Sequence, residues 1–453
     1  MLYRKIEAII ESHFKSESNK ILLIDGARQV GKTYIIRHVG KQLFENFIEI
    51  NMVEDFLGVG LFEHTKTIED FYFHLSMIAG NKMKEKSNTL VFIDEIQQYP
   101  HLLTLLKFLS QDNRFTYVAS GSLLGVTLSR TTSIPMGSIR TIRMFPLDFE
   151  EFLYANGINK MTMEVLANKF QQLESLDEPM HNKMLDLFKK FLLVGGLPDA
   201  VNSYLLYKNV VSVREIQSEI HSYYGTDASK YDEEQKLKIR AVYDLIPSNM
   251  ENKKKRMIFK EIENIKGYTF RNYQDEFEYL ISAGIVLNVQ AITAPVFPLI
   301  ESSGKNLLKL YLNDVGILSN ILYKNNISAI MSDQRSINLG SIYETIVASE
   351  LIAHGHKLFY YDNRSKGEVD YLIDDYASLS VIPIEVKSGK DYTVHSALNK
   401  LVNSDDYAIQ KAFVLSNERM IRTKGKISYI PIYNIMFFDG NGTTDMGKMQ
   451  IYN

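Results

Sequence analysis

The chain has 453 residues, of which 45% are hydrophobic and 23% are charged, and its formal net charge at pH 7 is −3. This length and composition are typical of a folded protein with about two to four domains. The absence of cysteine excludes disulfide bonds and cysteine-ligated metal sites, and the near-neutral charge excludes a global field that attracts nucleic acid. We find no signal-peptide core and no apolar run long enough to cross a bilayer, so we expect a cytoplasmic protein without membrane contact.

The first strong pattern in the chain is a glycine-rich loop between a strand and a helix. An amphipathic helix is predicted over 3–14, and the apolar run Ile21–Ile24 predicts a buried parallel strand. The loop that follows has the phosphate-binding pattern, in which Gly26 and four further residues precede Gly31–Thr33. A helix predicted over 34–44 completes the strand–loop–helix context that this pattern requires.

The residue types of this loop indicate nucleotide chemistry. Backbone N–H groups surround the phosphate oxygens, and the following helix directs its positive end at the same anion. Lys32 would contact the β- and γ-phosphates, as an ATP-binding and a catalytic residue, and the Thr33 hydroxyl would bind Mg²⁺. The alternative is an ordinary glycine turn before a helix. The predicted ATP-binding residues of the loop are Gly26, Ala27, Arg28, Gln29, Val30, Gly31, Lys32 and Thr33.

A second buried strand is predicted to end in two carboxylates. After a strand over 47–51 and a mainly helical stretch over 56–82, the apolar run Thr89–Ile93 leads into Asp94 and Glu95. Ligands of open α/β sheets bind at the carboxyl ends of the strands, where Asp94 would hold Mg²⁺ and the nucleotide. Glu95 would polarise the attacking water, which favours hydrolysis over phosphoryl transfer to a second substrate.

The next predicted strand ends in a polar turn. A helix is predicted over 102–109 and a strand over 115–119, directly before Ser120 and Ser122. A hydroxyl at this strand tip would lie between the γ-phosphate and the acidic strand. Either serine is therefore a candidate nucleotide sensor, and we assign Ser122 to the ATP-binding residues. The alternative is a serine–glycine turn without such a role.

Several motifs of the chain together resemble a known protein family. They are Gly26–Thr33, Ile93–Glu95, Gly121–Ser122, Pro146–Phe152, Gly195–Val201, Tyr311–Gly316, Tyr343–Glu344, Gly367–Asp370 and Ile384–Lys387. The chain resembles the AAA-type ATP-binding proteins of bacteria and archaea, in which an N-terminal ATPase domain is fused to a C-terminal domain of unknown function, DUF4143. The resemblance implies ATP binding and hydrolysis but no particular biological role.

The resemblance also raises the question of which arginine, if any, acts between subunits. In ring-forming relatives, an arginine of one subunit enters the nucleotide site of its neighbour. A strand predicted over 138–144 carries Arg140 and Arg143, and Arg130 precedes it. Each is a candidate for this role in a homo-oligomer, and each is alternatively a surface or ion-paired arginine.

The middle of the chain is predicted to be mostly helical. Residues 159–232 would form a helical lid over the nucleotide, interrupted at Gly195–Pro198 by a tight turn that is a candidate hinge. In 233–305, three helices followed by strands over 285–289 and 295–299 give the outline of a winged helix. Basic residues before its second helix make this module a candidate DNA-binding element, and protein contact is the alternative.

The helix–strand–strand–strand–helix order of residues 306–453 resembles restriction-endonuclease-like nucleases. The first helix carries Glu344, a strand carries Asp370, and the next strand carries Glu385 and Lys387, whose spacing places them on one face. We predict these four as catalytic residues, with Asp370 and Glu385 as ligands of Mg²⁺ or Mn²⁺. The alternatives are a nuclease-like fold kept for partner binding and plain surface charges.

We therefore predict an α/β protein with a P-loop AAA-type parallel-sheet domain, a helical lid, a winged-helix module and a C-terminal restriction-endonuclease-like α/β domain. The predicted boundaries are 1–158, 159–232, 233–305 and 306–453. The predicted function is an ATPase that hydrolyses ATP with Mg²⁺ and couples nucleotide state to the C-terminal domain, with DNA, a protein or a second copy as candidate partners. The alternatives are a nucleotide-switched scaffold with an inactive nuclease-like domain and an ATP-dependent metal nuclease.

Overall fold

The computed structural model describes residues 1–122, 124–125, 127, 137–228, 236–252, 255–303, 307–332, 339–389 and 391–440. The chain divides into two compact units, which are described separately. The first contains Tyr3–Phe145 and Ser282–Ile285, and the second contains Pro146–Ile281 and Val286–Asn453. None of the helices within the described ranges combines the length and the apolar character needed to cross a membrane.

The first unit is built on a five-stranded parallel sheet. Its strands are β1 (Ile21–Asp25), β2 (Asn46–Asn51), β3 (Thr89–Asp94), β4 (Thr116–Gly121) and β5 (Ile139–Arg143). They lie in the order β2-β3-β4-β1-β5, and each neighbouring pair is parallel. Because parallel strands end at one edge of the sheet, the loops after β1, β3 and β4 meet there. These strands confirm the five that the sequence predicts.

Five helices of the first unit accompany this sheet. They are α1 (Lys5–Lys15), α2 (Lys32–Leu43), α3 (Met52–Leu57), α4 (Ile68–Ala79) and α5 (Pro100–Asp112). The apolar sides of α4 and α5 contribute Phe71, Leu75, Leu102 and Leu106 to the same buried core as the strands. The stretch predicted as mainly helical over 56–82 therefore contains the end of α3 and the whole of α4, with turns between them.

The second unit contains an eight-stranded mixed sheet and twelve α-helices in its described residues. The strands are β6 (Val286–Ile292), β7 (Leu308–Leu312), β8 (Phe359–Asn363), β9 (Gly367–Asp375), β10 (Ser380–Val386), β11 (Ala412–Ser416), β12 (Arg422–Lys424) and β13 (Ile427–Pro431), in the order β12-β13-β11-β10-β9-β8-β6-β7. The helices are α6 (Phe149–Ala155), α7 (Lys160–Gln171), α8 (Glu178–Val194), α9 (Pro198–Tyr207), α10 (Val210–Ala228), α11 (Lys236–Glu251), α12 (Phe259–Glu263), α13 (Gln274–Ser282), α14 (Val315–Tyr323), α15 (Ser328–Met331), α16 (Gly340–Ala353) and α17 (Ser396–Val402).

The hairpin predicted for the winged helix has a different second strand. Residues 295–299 form no strand, and β6 pairs instead with β7, which begins at Leu308. Pro295 and Pro298 lack the N–H groups that a sheet ladder needs, so the predicted second strand was wrong. Strand β6 also pairs with β8, so the hairpin belongs to the eight-stranded sheet. The winged-helix module and the four domain boundaries stay predictions.

A buried carboxylate, Asp314, fixes the glycine turn that interrupts the helical region. Its side chain accepts hydrogen bonds from the backbone N–H groups of Gly196 at 2.7 Å and Ile317 at 3.0 Å. Gly195 has φ +70°, and a Cβ atom there would lie 2.2 Å from Asp314 Oδ1. Only glycine fits this position, because both the backbone conformation and the space exclude a side chain. The tight turn is thus present, and its role as a hinge stays a prediction.

The titration of Asp314 should make stability depend on pH. Burial raises the pKa of Asp314 to about 6, above its ordinary unfolded value of about 3.9. The folded chain therefore holds the Asp314 proton more tightly than the unfolded chain does. The resulting contribution to stability is fully present below about pH 4 and is lost as pH rises through about 6. The stability advantage of the wild type over Asp314→Asn should fall by on the order of 3 kcal/mol between pH 4 and 7, measured by urea unfolding. An advantage that does not change with pH would contradict this assignment.

Candidate nucleotide-binding site

The phosphate-binding loop joins the carboxyl end of β1 to the first turn of α2. Gly26 has φ +153°, and a Cβ atom there would lie 2.3 Å from the Met144 carbonyl oxygen. Gly31 caps α2 with φ +95°, in the left-handed region that glycine adopts without strain. The two glycines therefore allow the chain to pass close to the end of β5 and to enter α2 with its N–H groups facing the loop.

The side chain of Lys32 lies inside this loop. It is 6% exposed, and its Nζ donates to the carbonyl oxygens of Gly26 at 2.9 Å and Ala27 at 2.8 Å. Burial lowers the pKa of Lys32, and the nearby carboxylates, Glu95 first among them, oppose this effect. The ammonium group is thus held at the centre of the loop, where it can exchange two carbonyl acceptors for phosphate oxygens.

The two predicted Mg²⁺ ligands of the first unit contact each other. Thr33 Oγ1 donates to Asp94 Oδ2 at 2.8 Å, and Ser120 donates to the other oxygen of Asp94. Burial raises the pKa of Asp94, while its hydrogen bonds to Ser120 and Thr33 lower it. A hydroxyl and a carboxylate side by side are hard oxygen donors, which fit the few protein ligands that Mg²⁺ takes when phosphates supply the rest.

Glu95 follows Asp94 directly. Its φ is +53°, which is unusual for a residue with a side chain. Its carboxylate accepts from Gln97 Nε2, and Gln97 Nε2 also donates to Ser122 Oγ at 3.2 Å. Ser122 Oγ further accepts from Arg28 Nε of the phosphate loop at 3.3 Å. The two predicted sensor serines therefore have different partners, Asp94 for Ser120 and the Gln97 side chain for Ser122.

Sequence reasoning missed three residues that contact this site. Gln97 lies two positions after the acidic pair and belongs to none of the motifs in the sequence. Arg4 Nη1 donates to the Val30 carbonyl oxygen at 2.9 Å, and its Nη2 donates to the Phe145 carbonyl oxygen at 2.7 Å. Asp25, at the end of β1, carries no motif signal, because many strands end in a charge.

The arginines predicted to act between subunits are placed differently. Arg143 Nε and Nη2 donate to Asp25 Oδ2 at 3.0 and 2.8 Å, and Nη2 also donates to the Ser282 carbonyl oxygen at 2.7 Å. Arg143 is thus ion-paired within its own unit. Arg140 on β5 is exposed, and Arg130 lies outside the described residues. The choice of an arginine that acts between subunits stays a prediction.

The carboxylates predicted for the C-terminal site lie on adjoining elements of the second unit. Glu344 is on α16, Asp370 on β9 and Glu385 on β10, and β9 and β10 are antiparallel neighbours. Lys387 Nζ donates to Glu385 Oε1 at 2.8 Å, so these two side chains share one side as their spacing predicts. Burial raises the pKa of Asp370, and the neighbouring Glu385 and Glu344 raise it further. The four residues therefore interact electrostatically.

Two lysines and a tyrosine lie against Glu344 in this cluster. Lys255 forms an ion pair with Glu344 Oε1, and the Tyr311 hydroxyl donates to its Oε2 at 3.1 Å. Lys309, on β7, is 1% exposed, and Glu344 is first among the carboxylates that counter the effect of burial and raise its pKa. In the part of the chain that the structure describes, no three His, Asp or Glu residues are arranged to hold a metal ion. The Mg²⁺ or Mn²⁺ site at Asp370 and Glu385 stays a prediction.

Three family models match successive parts of the chain. The AAA domain model AAA_14 matches residues 18–153, DUF8612, a domain of unknown function, matches 185–328, and DUF4143 matches 339–435. No curated protein matches the chain. The first match spans the phosphate-binding loop, the acidic pair and Ser122, and the third spans Glu344, Asp370, Glu385 and Lys387.

Solved structures with a similar arrangement include two archaeal proteins and one yeast protein. The Walker-type ATPase of Pyrococcus abyssi is 15% identical with a TM-score of 0.42, and the match covers 70% of this chain and 95% of that one. The Aeropyrum pernix Orc1 protein in complex with DNA is 14% identical with a TM-score of 0.31, covering 73% and 94%. The S. cerevisiae Hsp104–ADP complex is 12% identical with a TM-score of 0.29, covering 62% and 38%. By its family models, the chain carries an AAA domain at residues 18–153 and a DUF4143 domain at residues 339–435, with a DUF8612 domain between them.

Proposed function

We propose that this protein is an ATPase that binds ATP with Mg²⁺ at the phosphate-binding loop and hydrolyses it. The observation that carries the proposal is the 2.8 Å contact between Thr33 Oγ1 and Asp94 Oδ2, beside the buried Lys32. Two motifs that are 61 residues apart in sequence thereby supply adjoining oxygen donors at one edge of a parallel sheet. This is the arrangement that a magnesium-bound nucleotide requires.

Each residue of the site has a distinct part in the proposed reaction. The N–H groups of the loop and of the first turn of α2 bind the phosphates, and Lys32 offsets the charge that develops on the transferring phosphoryl group. Thr33 and Asp94 would hold Mg²⁺, which supplies charge neutralisation when bound. Glu95 orients the attacking water and accepts its proton. Asp25 and Arg143 pair with each other and join the adjacent ends of β1 and β5.

Hydrolysis can be tested directly on the full chain. We expect release of inorganic phosphate from ATP in the presence of Mg²⁺ and none when EDTA removes the ion. Calorimetry should show heat with ATP and Mg²⁺, and a parallel titration with GTP measures the preference for adenine. A chain that gives no heat with either nucleotide would overturn the proposal.

We also propose that nucleotide state reaches the C-terminal domain through the helical region. The protein would act in the cytoplasm, where ATP is available. The second candidate function is a nucleotide-switched scaffold, whose nuclease-like domain binds a partner without cutting nucleic acid. The pairing of Glu344 with Lys255 and Tyr311 favours this candidate over an ATP-dependent metal nuclease. ATP hydrolysis that is equally fast with and without DNA would point to a protein partner, and stimulation by DNA would point to a nucleic-acid ligand.

The absence of nuclease activity is a specific expectation of the scaffold proposal. Single- and double-stranded DNA and RNA should stay intact in Mg²⁺ and in Mn²⁺, because Lys387 and Lys255 already form ion pairs with Glu385 and Glu344. The same incubation with Asp370→Ala and Lys387→Ala controls for a contaminating nuclease. Cleavage by the wild type that both variants lose would refute the scaffold proposal and establish the metal nuclease.

A further inference from the structure

The side chain of Gln97 connects the predicted catalytic base to a neighbouring strand. Gln97 lies in the 3₁₀ turn Ile96–Gln98, directly after β3 and Glu95, and it is 3% exposed. Its Nε2 donates both to the Glu95 carboxylate and to Ser122 Oγ. A carboxylate only accepts hydrogen bonds, so the amide nitrogen rather than the amide oxygen must face Glu95. Both hydrogens of the amide are thus used, and they fix its orientation.

The carbonyl oxygen of the Gln97 amide is buried as well, which is unfavourable for stability. Gln97 Oε1 has no hydrogen-bond partner among the described residues. Gly121, at the end of β4, leaves room for it, since a Cβ atom at this position would lie 2.3 Å from Oε1. An unpartnered buried carbonyl is destabilising, and an apolar side chain of the same shape would avoid this penalty. Stability therefore does not account for an amide side chain at position 97, whereas its two donated hydrogen bonds do.

The contacts of Gln97 continue into the phosphate-binding loop. Ser122 Oγ accepts from Gln97 Nε2 and from Arg28 Nε, at 3.2 and 3.3 Å. Arg28 is half-buried and lies between the two glycines of the loop. A continuous line of hydrogen bonds therefore joins Arg28, Ser122, Gln97 and Glu95.

We infer that Gln97 is a positioning residue that fixes the Glu95 carboxylate and links its position to the phosphate-binding loop through Ser122 and Arg28. This inference rests on the proposed ATPase function. Gln97 touches no reacting atom and acts through Glu95. Phosphates bound in the loop compete with Ser122 for the Arg28 guanidinium. Phosphate binding therefore affects the position of the Glu95 carboxylate through this line of hydrogen bonds.

The first test separates positioning from nucleotide binding. Gln97→Met keeps the length of the side chain but removes both donors. We expect kcat for ATP to fall about tenfold to a hundredfold, while KM and the dissociation constant of a fluorescent ATP analogue change less than about threefold. Gln98→Met is the matched control on the same turn, since Gln98 makes none of these contacts, and it should keep the wild-type kcat. An unchanged kcat in Gln97→Met, or an equal loss of nucleotide binding, would overturn the inference.

The second test asks whether Gln97 acts through Glu95. In single-turnover measurements, adding Gln97→Met to Glu95→Gln should slow hydrolysis no further, because the positioned base is already absent. A loss that multiplies with that of Glu95→Gln overturns the inference. If Gln97→Met lacks the wild-type melting transition, Ser122→Ala replaces it in the same comparison with the same expectation. A wild-type chain without nucleotide binding would remove the proposed function itself, whereas normal hydrolysis in Gln97→Met removes only the role of Gln97.

Discussion

Replacing Lys32 by alanine is expected to abolish ATP binding at working concentrations. The ammonium group is buried and held by two loop carbonyls, so it is already desolvated and positioned for the phosphates. Removing one partner of a buried charge pair costs about 2–5 kcal/mol, which raises the dissociation constant about thirtyfold or more. Isothermal titration of the variant with ATP and Mg²⁺ measures this loss.

A matched control for Lys32 lies on the same helix. Lys41 is exposed in the last turn of α2, where it cannot reach the loop. Lys41→Ala should therefore bind ATP as the wild type does, with the same melting temperature. ATP binding by Lys32→Ala at wild-type affinity would show that the nucleotide, if bound, occupies another part of the chain.

Replacing Glu95 by glutamine is expected to trap bound ATP. The amide keeps the size of the carboxylate but cannot accept a proton from water, so hydrolysis should fall about a hundredfold to ten-thousandfold. The contacts of Lys32, Thr33 and Asp94 do not involve the Glu95 side chain, so nucleotide affinity should remain. Rapid-quench hydrolysis and the recovery of unhydrolysed ATP with the protein after gel filtration measure the two effects.

The control for Glu95 must remove a carboxylate that lies outside the site. Glu69 is exposed in the first turn of α4, and Glu69→Gln should hydrolyse ATP at the wild-type rate. Retained turnover in Glu95→Gln would exclude Glu95 as the base. Equal losses in both variants would point to a general effect of charge on the unit.

The sequence was sufficient for the parts of the site that depend on local pattern. All five strands of the parallel sheet were predicted, and β1 and β3 were recognisable as apolar runs because strands buried on both faces are continuously hydrophobic. The loop glycines were recognisable because their positive φ angles restrict the residue type at Gly26 and Gly31. Where local pattern was ambiguous, as over 295–299, the prediction of a strand failed, since pairing in a sheet depends on distant residues.

By itself, the sequence determined the residues of the phosphate-binding loop, the acidic pair and their place at strand ends, because short-range sterics and hydrophobic periodicity control these features. Only the tertiary structure decided which side chains surround them. Gln97 meets Ser122, and Lys255 meets Glu344, across 25 and 89 residues of chain. Such pairs have no fixed sequence spacing, since they depend on how strands and helices pack, and packing brings together side chains that no local pattern relates.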